Sequence, residues 1–244
     1  MKRPLIILGA VAALAIVLVA RTWRTGPDTP GTVTAGSDSL IAVDVLLQPD
    51  RRMIASADSL NARLRGDYPS GYSLDATHAP HITLLQCYVR ARDLGALTTA
   101  IAGILTTVRP TELELEAQAV VYTFWGGVAL TLINVGRTPE LMRLQERVVQ
   151  AAGPFAVRGG TAAAFAGGEA NAETVAWVEG FMAAATGARY SPHVTAGVAS
   201  EPFVKRLIAE PYTHFTFRPT GVALYQLGNF GTAARELWRS PDSQ

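Results

Sequence analysis

From residue 40 onward the chain alternates short apolar runs with polar, helix-spaced segments. Leu40–Leu47 (LIAVDVLL) is apolar and β-branched and stops at Gln48-Pro49, which predicts a buried strand. Arg51–Arg65 carries Ile54, Leu60 and Leu64 at helical spacing. Residues 66–79 read as a loop punctuated by Pro69, Gly71 and the following Pro80. His81–Val89 predicts a second strand, and Leu94–Val108 a helix stopped by Pro110. Glu112–Val121 alternates as a half-buried strand does, and Gly126-Gly127 separates it from Val128–Val135 in a predicted hairpin. Thr138 reads as an N-cap with Pro139 in the first turn of a helix reaching about Ala151. Phe155–Gly168, rich in Gly and Ala, reads as an irregular insertion, and Glu173–Ala185 as a helix. Beyond it come strands at His193–Val198, Thr213–Phe217, Val222–Leu227 and Ala233–Trp238, with a short helix at Glu201–Ala209.

Strands and helices do not keep a steady βαβ rhythm, so the pattern predicts an α+β domain with mainly antiparallel sheets. The N-terminus is different in kind. Met1–Arg3 is basic and Pro4–Ala20 is a 17-residue run without charge, as in a signal anchor or a signal peptide. Residues 21–38, rich in Gly, Pro, Thr and Ser, read as a flexible linker. The expected organisation is a leader over 1–20, a linker over 21–38 and a domain over 39–240. The leader predicts a membrane-anchored domain outside the cytoplasm, or a secreted or periplasmic one.

Composition narrows the function. With Lys2, Arg3, Arg21, Arg24 and Asp28 set aside, the remaining chain has 17 basic and 19 acidic residues. A slightly acidic domain is not built to bind duplex DNA, although a small nucleotide in a local pocket fits. Cys87 is the only cysteine among 244 residues, which excludes an internal disulfide framework and a Cys-rich zinc site.

Two of the four histidines share one local pattern. Pro80-His81-Ile82-Thr83 and Pro192-His193-Val194-Thr195 both read Pro-His-(Ile/Val)-Thr, and both open a predicted strand. Alternation along a strand puts His81 and Thr83 on one face, and His193 and Thr195 likewise. An imidazole exchanges a proton near neutral pH, and a threonine hydroxyl donates to an anionic oxygen. Two such units facing each other bracket a phosphate. One His serves as base, the other as acid, and the Thr pair holds the non-bridging oxygens.

With these motifs the chain resembles the 2H phosphoesterase superfamily over roughly residues 40–240. The segment Gly221–Gly228 (GVALYQLG) is similar to that family's final strands. The resemblance implies an α+β fold of two pseudo-symmetric lobes facing across a central cleft. It also implies His81 and His193 as catalytic residues, with Thr83 and Thr195 binding substrate. The expected function is a metal-independent phosphodiesterase acting on a small cyclic phosphate or a 2′-5′-linked nucleotide. No cofactor is expected, and the partners are a small nucleotide or RNA end, with the protein a monomer. The alternative is an exported nucleotide-binding module of the same fold with little turnover. Two departures stand out: the motifs lie 112 residues apart, and no basic residue closely follows the second one.

Tyr190, three residues before His193, is expected to line the cleft. Tyr122 and Trp125, beside Gly126-Gly127, are expected either to pack the hairpin or to stack on a base at the cleft rim. His214 and Cys87 read as structural.

Overall fold

The computed structural model describes residues 38–125 and 127–241. The predicted leader, and most of the predicted linker, lie outside the described residues. Among the described residues no helix is long and apolar enough to cross a membrane.

The elements run β1 (Leu40–Pro49), α1 (Arg51–Asp67), β2 (Ile82–Arg90), α2 (Leu94–Leu105), β3 (Leu115–Trp125), β4 (Val128–Val135) and α3 (Pro139–Ala152). They continue as α4 (Ala172–Ala184), β5 (His193–Ala199), α5 (Glu201–Ile208), β6 (Phe215–Phe217), β7 (Pro219–Leu227) and β8 (Ala233–Arg239). Two four-stranded antiparallel sheets result, ordered β2-β1-β7-β8 and β5-β4-β3-β6. The fold is α+β, as the pattern of runs predicts.

The two sheets repeat one plan. Each motif strand, β2 or β5, is an edge strand beside an inner strand, β1 or β4. Each of these inner strands leads into a helix capped by its preceding side chain. Asp50 accepts from Met53 N at 3.0 Å, and Thr138 accepts from Leu141 N at 3.1 Å. These helices are exchanged: α1 packs against β5 of the second sheet, and α3 against β2 of the first. A single apolar core therefore runs through both lobes.

A β-bulge follows each motif. Leu46 pairs with Thr83 but Val45 with Leu85, leaving Leu84 as the extra residue. Leu132 pairs with Thr195 but Thr131 with Gly197, leaving Ala196 extra. A bulged carbonyl loses its place in the ladder, and a buried one needs another donor. The exchanged helices supply it: Asn61 of α1 donates to Ala196 O at 2.8 Å, and Gln145 of α3 donates to Leu84 O at 3.3 Å. Both amides are buried. The shape of each motif strand is thus pinned by the opposite lobe.

β3 differs from expectation at both ends. Residues predicted to start β3 at Glu112 instead form a 3₁₀ turn over Pro110–Glu112, because the fixed φ of Pro110 favours a turn. β3 then runs on to Trp125, carrying the whole aromatic cluster into the strand. The 155–168 segment is a chain of short 3₁₀ turns, bridged to β2 through Val157 and Tyr88. It leads into α4, which packs on β2. The second lobe has this insertion between its helix and its motif strand, which accounts for much of the spacing between motifs.

Candidate active site

His81 lies immediately ahead of β2 and His193 is the first residue of β5. In both, the preceding proline holds the chain extended, and the imidazole folds back onto the carbonyl two residues earlier. His81 Nδ1 lies 2.7 Å from Ala79 O, and His193 Nδ1 lies 2.7 Å from Ser191 O. A carbonyl can only accept, so Nδ1 carries the hydrogen in each ring. Nε2 is then the nitrogen left for proton chemistry in both motifs.

The two Nε2 atoms sit in different fields. His81 Nε2 is 3.5 Å from Oδ2 of Asp44, a fully buried carboxylate at the middle of β1. The same oxygen accepts from Thr83 Oγ1 at 2.7 Å and from Gln86 Nε2 at 2.9 Å. Burial alone would lower the His81 imidazole, but the hydrogen bond and charge of Asp44 outweigh it and raise the group above its ordinary value. His193 moves the other way. Burial lowers it, the Ser191 carbonyl opposes this, and the positive charge of His81 pushes it down further. Asp44 also bears on His193, so all three groups share one electrostatic site. The two shifts run in opposite directions, so of the two imidazoles His81 holds a proton more readily and His193 a lone pair.

A small pocket has one residue of each motif in its wall, His81 from the first and Thr195 from the second, while Thr83 and His193 lie outside that wall. Tyr72 and His78, stacked with centroids 5.0 Å apart and planes at 13°, line one side, and the 230–233 turn lines another. The Thr195 hydroxyl has no hydrogen-bond partner among the described residues and is available to an incoming oxygen. Thr83 is different, because its proton already goes to Asp44. A larger cavity of about 280 Å³ opens between α1 and the end of α5, without any motif residue in its wall. Among the described residues no cluster of three or more His, Cys, Asp or Glu is placed to hold a metal ion.

Three expected substrate contacts lie outside the wall of this pocket. Tyr190 is buried and its hydroxyl donates to Thr83 O at 2.9 Å. It ties the approach to the second motif onto the backbone of the first, and does not face the pocket. Tyr122 is on the wrong face of its sheet. Leu132 pairs with both Thr195 and Val121, so Val121 shares the Thr195 face and Tyr122, the next residue, points away. Its hydroxyl reaches Glu201 of α5 at 3.4 Å. Trp125 shares the Thr195 face but lies far along it. It pairs with Val128, four residues from Leu132, or about 13 Å at strand rise. Its ring rests edge-on against Trp177 of α4, centroids 5.8 Å apart, and packs the hairpin end.

Asp44 and Gln86 are the residues that motif reading does not reach. Asp44 is visible in retrospect as the one charge in LIAVDVLL, since a charge inside a buried strand must be paired. Gln86 is hidden by the bulge. Counting by twos from His81 puts Leu85 and Cys87 on the Thr83 face, whereas Leu84 as the extra residue shifts that face to Gln86 and sends Cys87 into the core. His214, exposed and 3.7 Å from Glu116, takes no part.

A family model described as the 2′-5′ RNA ligase superfamily matches residues 54–229, a span that contains both motifs. Among solved structures, TT0787 of Thermus thermophilus is 14% identical, with 84% of this chain and 100% of that one covered at a TM-score of 0.52. Escherichia coli LigT complexed with 3′-AMP is 12% identical, with 84% and 100% covered at a TM-score of 0.40. A structure described as a phosphoesterase is 13% identical over the same shares, also at 0.40. No curated protein matches the chain.

Proposed function

This chain belongs to the 2′-5′ RNA ligase superfamily, a 2H phosphoesterase family of phosphodiester-acting enzymes, and we propose that it is a metal-independent phosphodiesterase. Its substrate is a small cyclic phosphate or a 2′-5′-linked nucleotide. The observation that carries this reading is the matched geometry of two imidazoles, each with Nδ1 committed to a carbonyl and Nε2 left for proton chemistry, with Asp44 beside only the first.

In the hydrolytic direction His193 Nε2 takes a proton from water as its oxygen bonds to phosphorus. The bond from phosphorus to the leaving oxygen breaks, and His81 Nε2–H delivers its proton to that oxygen. Thr195 donates to a non-bridging oxygen as charge builds on it. Thr83 contributes through Asp44: their hydrogen bond fixes the carboxylate that keeps His81 protonated. The acid and base are a complete set for this reaction, so a chelator leaves the rate intact. The protein acts as a monomer, and its leader holds the domain outside the cytoplasm, by anchoring or by export. Cell fractionation that finds the chain in the soluble cytoplasm overturns that placement.

The test is hydrolysis of 2′,3′-cyclic nucleotides in EDTA. His81→Ala and His193→Ala are each expected to lose about 10²–10⁴-fold in kcat, the usual share of a general acid or base. Undiminished turnover in either variant refutes the mechanism. Nucleotide binding without product by the wild type favours a binding module instead.

A further inference from the structure

Phe230 has a conformation that the fold alone does not explain. It is the one non-glycine residue with positive φ among the described residues, at φ 61° and ψ 17°. That left-handed region is costly for a bulky side chain and ordinary for Gly or Asn. The residue is 47% exposed, and its ring stacks on no other aromatic ring of the described residues. The residue therefore carries two unfavourable features at once, backbone strain and an apolar ring in water.

The surrounding structure holds that strain in place. Phe230 N donates to Thr174 Oγ1 at 3.1 Å and to Asn229 Oδ1 at 3.0 Å. Asn229 Oδ1 also accepts from Asn171 N at 3.0 Å and from Thr174 Oγ1 at 3.2 Å. Thr174 is fully buried in the first turn of α4. Gly228 N to Thr232 O at 2.9 Å closes the turn from the other side. The α4 insertion thus grips the Asn229–Gly231 turn, and the gripped turn presents Phe230 to the pocket that holds His81 and Thr195. The Tyr72–His78 stack lines the same pocket. Strain that surrounding structure maintains at the mouth of a site marks a role for the strained residue.

We infer that Phe230 is the specificity-determining residue of this site. Its exposed ring stacks on the planar base of a nucleoside cyclic phosphate or diester while the phosphate sits between the two motifs. The inference rests on the phosphodiesterase reading for its phosphate, and adds the base as a recognised part of the substrate. It also gives the α4 insertion a function, which is to hold that ring where a base can meet it.

The experiment compares two substrates of the full chain, adenosine 2′,3′-cyclic phosphate and glycerol 1,2-cyclic phosphate, which share the reacting ring and differ in the base. Phe230→Asn removes the aromatic ring and tolerates the left-handed backbone; Phe230→Tyr keeps the ring. The asparagine variant should lose about fivefold to a hundredfold in kcat/KM on the nucleotide, chiefly through KM, the range that base stacking on an aromatic gives. Its loss on the glycerol ester should be at least fivefold smaller. Its melting temperature should equal or exceed that of the wild type, and the tyrosine variant should retain the nucleotide preference. Equal losses on both substrates, or no loss on the nucleotide, overturn the inference. If the wild type hydrolyses neither ester, the phosphodiesterase reading falls alone. Calorimetric AMP binding then decides: weakening of fivefold or more in Phe230→Asn sustains the stacking role, and equal binding removes it.

Discussion

The two histidine motifs start from the same pattern, Pro-His-(Ile/Val)-Thr, and their imidazoles end shifted in opposite directions. Each opens an edge strand, each is followed by a bulge, and each has its bulged carbonyl bound by a buried amide from the exchanged helix. The difference lies one strand further in. Beside the first motif, β1 contributes Asp44, fully buried and bonded by Thr83 and Gln86. Beside the second, β4 places Leu132 opposite Thr195 and Asn134 opposite His193, and the Asn134 amide turns to Gln118. A duplicated motif gives matching geometry, while the neighbouring strand raises one imidazole and leaves the other lowered. Symmetric scaffolding with one asymmetric charge is enough to push two like groups apart.

Removing that charge is the largest perturbation of the comparison short of deleting an imidazole. The proposed mechanism requires His81 protonated and His193 neutral. The rate should therefore rise as pH climbs through the His193 value, which lies below the ordinary imidazole range, and fall as it passes the His81 value, which lies above it. In Asp44→Asn burial acts on His81 against the Ala79 carbonyl alone, so its value drops and the alkaline limb moves to lower pH. The acid limb, governed mainly by burial of His193, moves less. At pH 8 kcat/KM should fall about 10–100-fold, with a smaller loss near pH 6. A pH–rate profile checks this, with circular dichroism to confirm folding. An alkaline limb that stays in place would show that Asp44 does not set the acid.

Much of this arrangement is legible in the sequence, and the illegible part has a common cause. The strands and helices follow from apolar alternation, Pro49 and Pro110 as punctuation, and Thr138-Pro139 as a helix start. The His and Thr pairs follow from the repeat. What periodicity misses is every place where a strand departs from a period of two. The Leu84 bulge moves Gln86 onto the Asp44 face, and nothing in LLQCYV signals it. The face of Tyr122 depends on register across two strand pairs, which the β3 sequence does not contain. Tyr190 reads as a cleft residue because it precedes a motif, yet its hydroxyl is occupied by the Thr83 carbonyl. Phe230 is silent in sequence, since a positive φ at a non-glycine leaves no mark in composition.

The link between the motifs gives an intermediate effect. Tyr190→Phe keeps the buried ring and loses only the bond to Thr83 O, 2.9 Å long. A bond of this kind contributes about 0.5–1.5 kcal/mol. For a domain of this size that corresponds to a drop of roughly 1–6 °C in Tm. Because the lost bond joins the two motif strands, kcat should fall a few-fold with KM little changed. Thermal unfolding and steady-state kinetics together separate this from a purely structural role, which would lower Tm and leave kcat alone.

The smallest effect tests the sheet register itself. Tyr122 points to the α5 side, where its hydroxyl is 3.4 Å from Glu201, and Glu201 already pairs with Lys205 at 2.7 Å on the surface. Tyr122→Phe therefore removes a long, replaceable contact from a carboxylate that keeps its stronger partner. Stability should stay within about 0.5 kcal/mol, as for surface changes away from the core. Turnover of a cyclic nucleotide should stay within about twofold, since a hydroxyl on the far face of β3 cannot reach a substrate held by His193 and Thr195. A tenfold loss would mean that β3 is paired one residue out of step with β4. Such a slip would exchange the two faces of the strand and put Tyr122 where Val121 stands, beside the second motif.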